Sequence, residues 1–258
     1  MPAPDSRREP IFNLPGIVAA SVAVLVIVHA VRSTLLSPAV DFELLMEFAV
    51  VPARWTAAFD PSRAEAILRE AAGDHREALA QYILAEGGAK PWTALAYALL
   101  HGSWAHVLLN CVWLAAFGTP VARRCGGLRF LALGAACAVG GAVAHWLTDS
   151  SSVVPMIGAS AAISGWMAAA ARFVFAPGRD PFRGLRTVRE AHERPRQTVG
   201  ELLRNRGAAT FLGVWLASNL LFGLTAAPLG ITDAAVAWEA HIGGFLVGLL
   251  LFPWIDPA

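Results

Sequence analysis

Charge is what this sequence has least of. Only 15% of its 258 residues are Asp, Glu, Lys or Arg, against 56% hydrophobic, where soluble proteins carry roughly 25% charge. No charged residue occurs in 11–31, 91–122, 130–148, 150–171 or 207–232, and a last apolar run, 240–255, follows Glu239. About 20 mainly apolar residues cross the hydrocarbon core of a bilayer. Five runs are long enough alone, and the sixth becomes so with 234–238 in front of it. The expectation is an all-α membrane protein with six transmembrane helices.

Other absences narrow the function. The three cysteines, Cys111, Cys125 and Cys137, fall in spans or a cytoplasmic loop, where disulfides are rare, and their spacing fits no zinc motif. There is no HExxH of a zinc protease and no pair of intramembrane aspartates. The inverted repeats and intramembrane charge typical of transporters are missing too. The start, "MPAPDSRREPIF", lacks a signal-peptide cleavage pattern and reads as a short cytoplasmic N-terminus, residues 1–10, ahead of a membrane domain over 11–255.

The charge that is present sets the orientation. Arg7 and Arg8 precede the first run, and Arg123, Arg124 and Arg129 join the second to the third. The connection at about 172–206 holds nine arginines against four acids, whereas the first connection, about 37–91, has nine acids and five basic residues. Positive charge marks the cytoplasmic side, so both termini are expected inside. The stretch "RDPFRGLRTVREAHERPRQ" is read as a solvated topology determinant, and no nucleic-acid partner is expected. In the outer loop, "PSRAEAILREAAGDHREALAQYILAEGG" reads as helical and partly amphipathic, opening at Asp60-Pro61-Ser62 and closing at Gly87-Gly88, suited to the membrane surface.

Polar residues inside spans are costly and mark function or helix contacts. The second span opens "HGSWAHVLLNCVWLAAFG", with His106 and Asn110 four apart on one helix face. The fourth opens at "GASAAISG" with Gly158, Ser160 and Ser164, and the sixth at "AWEAHIGGFLVG" with His241. All three spans run inward, so these residues share one layer within roughly 15 Å of the outer face at about 1.5 Å per residue. A serine needs a base to become a nucleophile, and histidine serves near neutral pH. Ser160 and His241 would make that pair. The start of the fourth helix offers backbone N–H groups to an oxyanion, and His106 and Asn110 add side-chain donors. No acid is placed to orient His241, because Glu239 lies about 200° away around the helix. A dyad is therefore expected. Gly244 and Gly248 form a GxxxG on the His241 face that lets the sixth span approach the fourth. The plainer reading makes Ser160 a packing residue, and it does suit Ser164. His29, His101 and His145 are read as hydrogen-bonded or interfacial.

With these residues assembled, the sequence resembles the rhomboid family of intramembrane serine proteases. "HGSWAHVLLN" is similar to its HxxxN pattern, "GASAAISG" to its GxSG nucleophile motif around Ser160, and "AHIGGFLVG" to its histidine–GxxxG motif. The resemblance implies a rhomboid-like bundle in a bacterial inner membrane, with a Ser160–His241 dyad open to the extracytoplasmic side. It implies oxyanion stabilisation by His106, Asn110 and the Ser160 and Ala161 backbone, with no cofactor or metal. Substrates would be transmembrane proteins within the bilayer, gaining access past the fifth span and the cap loop at about 226–236. Two positions depart from the family. Ala161 replaces the second motif glycine, and Trp92-Thr93 replaces a Trp-Arg pair that anchors the outer loop. An inactive relative that binds membrane clients, and a small transporter, are the rival readings. Natural substrate, cleavage-site preference and oligomeric state stay open.

Overall fold

The computed structural model describes residues 14–73, 76–177, 194–225 and 237–257. The N-terminus at 1–10, the cap loop at 226–236 and the middle of the arginine-rich loop lie outside the described residues. The described chain is helical, in the order α1 (Gly16–Thr34), α2 (Pro38–Phe48), α3 (Pro52–Phe59), α4 (Ala64–Ala71), α5 (Arg76–Glu86), α6 (Thr93–Ala96), α7 (Trp104–Trp113), α8 (Thr119–Cys125), α9 (Gly127–Thr148), α10 (Ser160–Val174), α11 (Val199–Arg204), α12 (Arg206–Thr225) and α13 (Trp238–Ile255). A wider π turn, Leu114–Gly118, joins α7 to α8 as one span.

Four helical spans among the described residues are long and apolar enough to cross a membrane: α1, α7–α8, α9 and α13. The fourth apolar run forms only the 15-residue α10, about 22 Å long at 1.5 Å per residue. Residues 149–159 enter it as irregular chain. Their backbone is satisfied by the outer loop, through a bridge between Val50 and Met156 (2.8 and 3.2 Å) and bonds from Ala53 N and the Thr56 hydroxyl to Ser152 O and Ser150 O (2.9 and 2.6 Å). Such backbone is tolerated at membrane depth only when protein covers it.

Helix α10 is the axis of the bundle, buried from Ala161 to Phe173. The Trp166 ring stacks on Phe130 of α9 at 4.2 Å and donates its indole N–H to Phe130 O. Close approach depends on residues without side chains. A Cβ at Gly244 would overlap the Ala161 carbonyl, and one at Gly248 the Gly165 carbonyl, both on α10. Gly165 in turn faces Cys137 of α9, and Gly140 of α9 faces Gly243 and Val247 of α13.

The outer loop is a separate layer with its own apolar cluster of Val51, Ala53, Ile67, Ala71, Ala80, Ile83 and Val153. Its expected helical stretch is two helices rather than one, because Gly73 takes φ +80°, which ends α4 at a left-handed position. Buried Arg54 donates to Met46 O and Glu86 (2.7 Å each), while Lys90 reaches Glu47 (2.6 Å) and Glu86 (2.5 Å). Trp92 donates to Glu47 O at 3.0 Å, and Thr93 donates to Lys90 O and accepts from the Trp55 indole. These bonds anchor the loop where the Trp-Arg pair is absent.

At the C-terminal ends of α10 and α13, Arg194 and Arg196 are bonded rather than merely solvated. Helix C-termini expose unpaired carbonyls and the negative end of the helix dipole. Arg194 accordingly donates to Val174 O and Ala176 O (2.8 and 3.1 Å), and Arg196 to Asp256 (3.1 Å). Arg124 pairs with both carboxylate oxygens of buried Asp256 (2.6 and 2.8 Å) and lies over the Phe173 ring.

Burial acts first to raise the Glu86 carboxyl pKa, but the Lys90 hydrogen bond and the Arg54 and Lys90 charges outweigh it and leave it below the ordinary 4.5. A depressed folded-state pKa contributes stability above the unfolded value and loses it as pH falls through the folded value. Trp92 fluorescence is therefore expected to hold steady above about pH 5 and report loosening of the outer loop as pH falls below the ordinary glutamate range. In Glu86→Gln that pH dependence should flatten. Helix contacts give a second expectation. Gly248→Val should cost about 1–3 kcal/mol by overpacking and lower the thermal midpoint, whereas Gly213→Ala, in open space on α12, should leave it unchanged or slightly higher.

Candidate active site

Helices α10 and α13 bring Ser160 and His241 together, 81 positions apart. Ser160 is the first residue of α10 and His241 lies in the first turn of α13. The Ser160 hydroxyl lies 2.7 Å from His241 Nε2. The opposite ring nitrogen, Nδ1, is 2.5 Å from Asn219 Oδ1 on α12.

The Asn219 contact decides the tautomer. Its amide nitrogen donates to Trp215 O at 2.9 Å, a carbonyl that can only accept. The oxygen of Asn219 must therefore face His241, and His241 Nδ1 must carry the proton. Nε2 is left as a lone pair, and the Ser160 hydroxyl donates into it. The geometry is that of a nucleophile, a base and a group that orients the base.

The sequence does not single out Asn219 as the orienter, because an uncharged amide on a separate span carries no local sign of where it points. The available signal was a lone amide within the uncharged run 207–232, where an unpaired polar group is costly. Glu239 is directed elsewhere, with its carboxylate 3.8 Å from His145 Nδ1.

Gly158 shapes the space beside the serine. Its φ of +122° is a conformation that side chains rarely adopt, and its N–H is held by Tyr97 O at 3.0 Å. A Cβ there would stand 2.8 Å from His106 Nε2 and 3.8 Å from Ser160 Oγ. His106 Nε2 and the serine oxygen thus border one small space. His106 is held by the Ser103 cap at its backbone N–H (3.1 Å) and by the His101 ring, 4.9 Å away and edge-on. Asn110 is buried one turn along, donating one amide hydrogen to His106 O at 3.0 Å and keeping a second. The Ser164 hydroxyl bonds back to Ser160 O at 2.8 Å, as a helix-internal bond. His29 Nδ1 contacts His101 O at 3.1 Å. The methyl of Ala161 faces Gly141 of α9, whose own Cβ would lie 2.5 Å from it.

A family model for the rhomboid domain matches residues 88–255. The chain belongs to the rhomboid family. Comparison with curated proteins yields no match. The matched region of this rhomboid begins beside Lys90, includes Ser160, His241, Asn219, His106 and Asn110, and leaves out α1 and most of the outer loop.

The Gly141–Ala161 contact yields a direct test. Gly141→Ala should lower the thermal midpoint of this rhomboid, since its new methyl would meet that of Ala161. Adding Ala161→Gly should recover part of the loss and no more, because the Ala240 carbonyl still lies 2.8 Å from the new Cβ.

Proposed function

We propose that this rhomboid is an intramembrane serine protease that cleaves peptide bonds in or near transmembrane segments of other proteins. The observation that carries the reading is the 2.7 Å bond between Ser160 Oγ and His241 Nε2, with the imidazole in the tautomer that accepts a proton. In this reading α10 and α12 complete six spans, with both termini cytoplasmic and the membrane domain over 11–255. The bilayer is a bacterial inner membrane, and the site opens to the extracytoplasmic side, where the starts of α7, α10 and α13 meet.

Ser160 Oγ attacks the peptide carbonyl carbon while its proton passes to His241 Nε2. The oxyanion that forms needs donors already in place. The Ser160 and Ala161 N–H groups at the start of α10 lack intrahelical partners by position, His106 borders the same space, and Asn110 follows one turn along α7 as a further donor. Collapse breaks the C–N bond, and the leaving amine takes the proton from His241. Water then attacks the acyl ester, its proton going to His241, and Ser160 is released with a carboxylic acid product. This sequence needs no cofactor from any residue described.

Ala161 in place of the motif glycine is the feature that favours an inactive, client-binding relative. Its methyl is received by Gly141 and its backbone N–H is retained, which supports the active reading instead. The test is cleavage of a single-span substrate in proteoliposomes. Ser160→Ala and His241→Ala should each reduce cleavage by at least about 10³-fold, and His106→Ala by about 10²–10³-fold. Cleavage that survives Ser160→Ala would sink the reading.

A further inference from the structure

Helix α12 holds the group that orients His241, and it is bound to the bundle unevenly. At its inner end Ala208 and Leu212 pack with Ala171, Leu202, Leu249 and Phe175. Beside Phe211, at that same end, lies a cavity of about 310 Å³ shared with Phe117, Met167 and Phe175. Its outer half meets α13 through the Trp215–Phe245 stack at 4.8 Å, the Asn219–His241 bond and Gly223 against Trp238. Val214 and Leu221 are exposed on its other side, and Leu216 and Phe222 flank the contact and are exposed too, where lipid would surround them.

We propose that Asn219 is a positioning residue that makes His241 a competent base only while the outer half of α12 is packed on α13. The proposal rests on the protease reading and adds a regulation to it. Outward tilt of α12 about its inner end withdraws Oδ1 from His241 Nδ1. Nothing then distinguishes the two tautomers, and the proton shifts onto Nε2 in part of the population. In that form Nε2 cannot accept from Ser160. A substrate helix that displaces α12 therefore meets an idle site, and cleavage waits until α12 closes behind it. Proteins whose segments hold α12 open bind without being cut.

The deciding measurement is the nitrogen NMR spectrum of the His241 ring in ¹⁵N-histidine-labelled full-length protein, with the signal assigned by its loss in His241→Gln. Wild type should show Nδ1 protonated and Nε2 unprotonated. Asn219→Ala should shift it to mixed tautomers. So should Trp215→Ala with Phe245→Ala, which loosens α12 and alters neither reacting residue. Combining all three should add nothing further. An unchanged ring spectrum in either variant overturns the proposal.

Activity gives the second arm. A small water-soluble fluorophosphonate does not need the lateral route, so its labelling of Ser160 reads the base alone. Asn219→Ala should slow labelling by about 10- to 100-fold, the size typical when an orienting partner is lost. It should lower kcat for a single-span substrate by a similar factor, with KM unchanged. If Asn219 were only a latch on α12, the variant would cut substrate faster and label at the wild-type rate, which also overturns the proposal. Wild type that shows the expected tautomer but neither labels nor cuts would sink the protease reading alone, leaving the NMR comparison to decide the coupling.

Discussion

The close approach of α10 to α9 and α13 is the constraint on which the rest depends. In lipid there is no water to expel between helices, so association rests on van der Waals contact and on backbones that come near one another. Gly244 and Gly248 lie on the carbonyls of Ala161 and Gly165, and Gly141 leaves space for the Ala161 methyl. A bond of 2.7 Å between the first residue of one helix and the first turn of another tolerates little widening of that contact. Misplacement by about 1 Å can cost roughly a hundredfold in rate.

The second constraint is depth. Because α10 is only 15 residues long, its N-terminal amides sit behind a segment of irregular chain, residues 149–159. That segment survives there because the outer loop satisfies its backbone through Val50, Ala53 and Thr56. Within the loop, Arg54, Lys90 and Trp92 in turn tie α3 and the segment after α5 to α2 and α5. The loop is thus part of what places the serine, although it lies far from it in sequence.

At the opposite end, Arg124, Arg194 and Arg196 bind the C-terminal ends of α10 and α13 through carbonyls and Asp256. Arg172 adds bonds to Gln197 O and Leu249 O, each 3.0 Å. The end of the bundle opposite Ser160 is therefore stitched together by arginines. Ser160, His106 and His241 lie at the other ends of their helices, with α12 holding His241 from the side through Asn219.

The family and the helical class were legible in the sequence because they rest on local chemistry. Long uncharged runs cannot be anything but membrane or core, and HxxxN, the serine motif and the histidine–GxxxG motif each sit within a single turn or two of helix. Ser160, His241, His106, Asn110 and the glycines stand out in the sequence for that reason. The break at Gly73 was harder to see, since glycine permits a left-handed turn but does not demand one. The inner arginines looked solvated because charge counts do not reveal which carbonyls a fold leaves unpaired. Only the tertiary structure decided that Asn219 faces His241. Its orientation follows from a carbonyl on its own helix and from how α12 lies against α13, and no spacing within the sequence encodes a contact between two separately rotated helices.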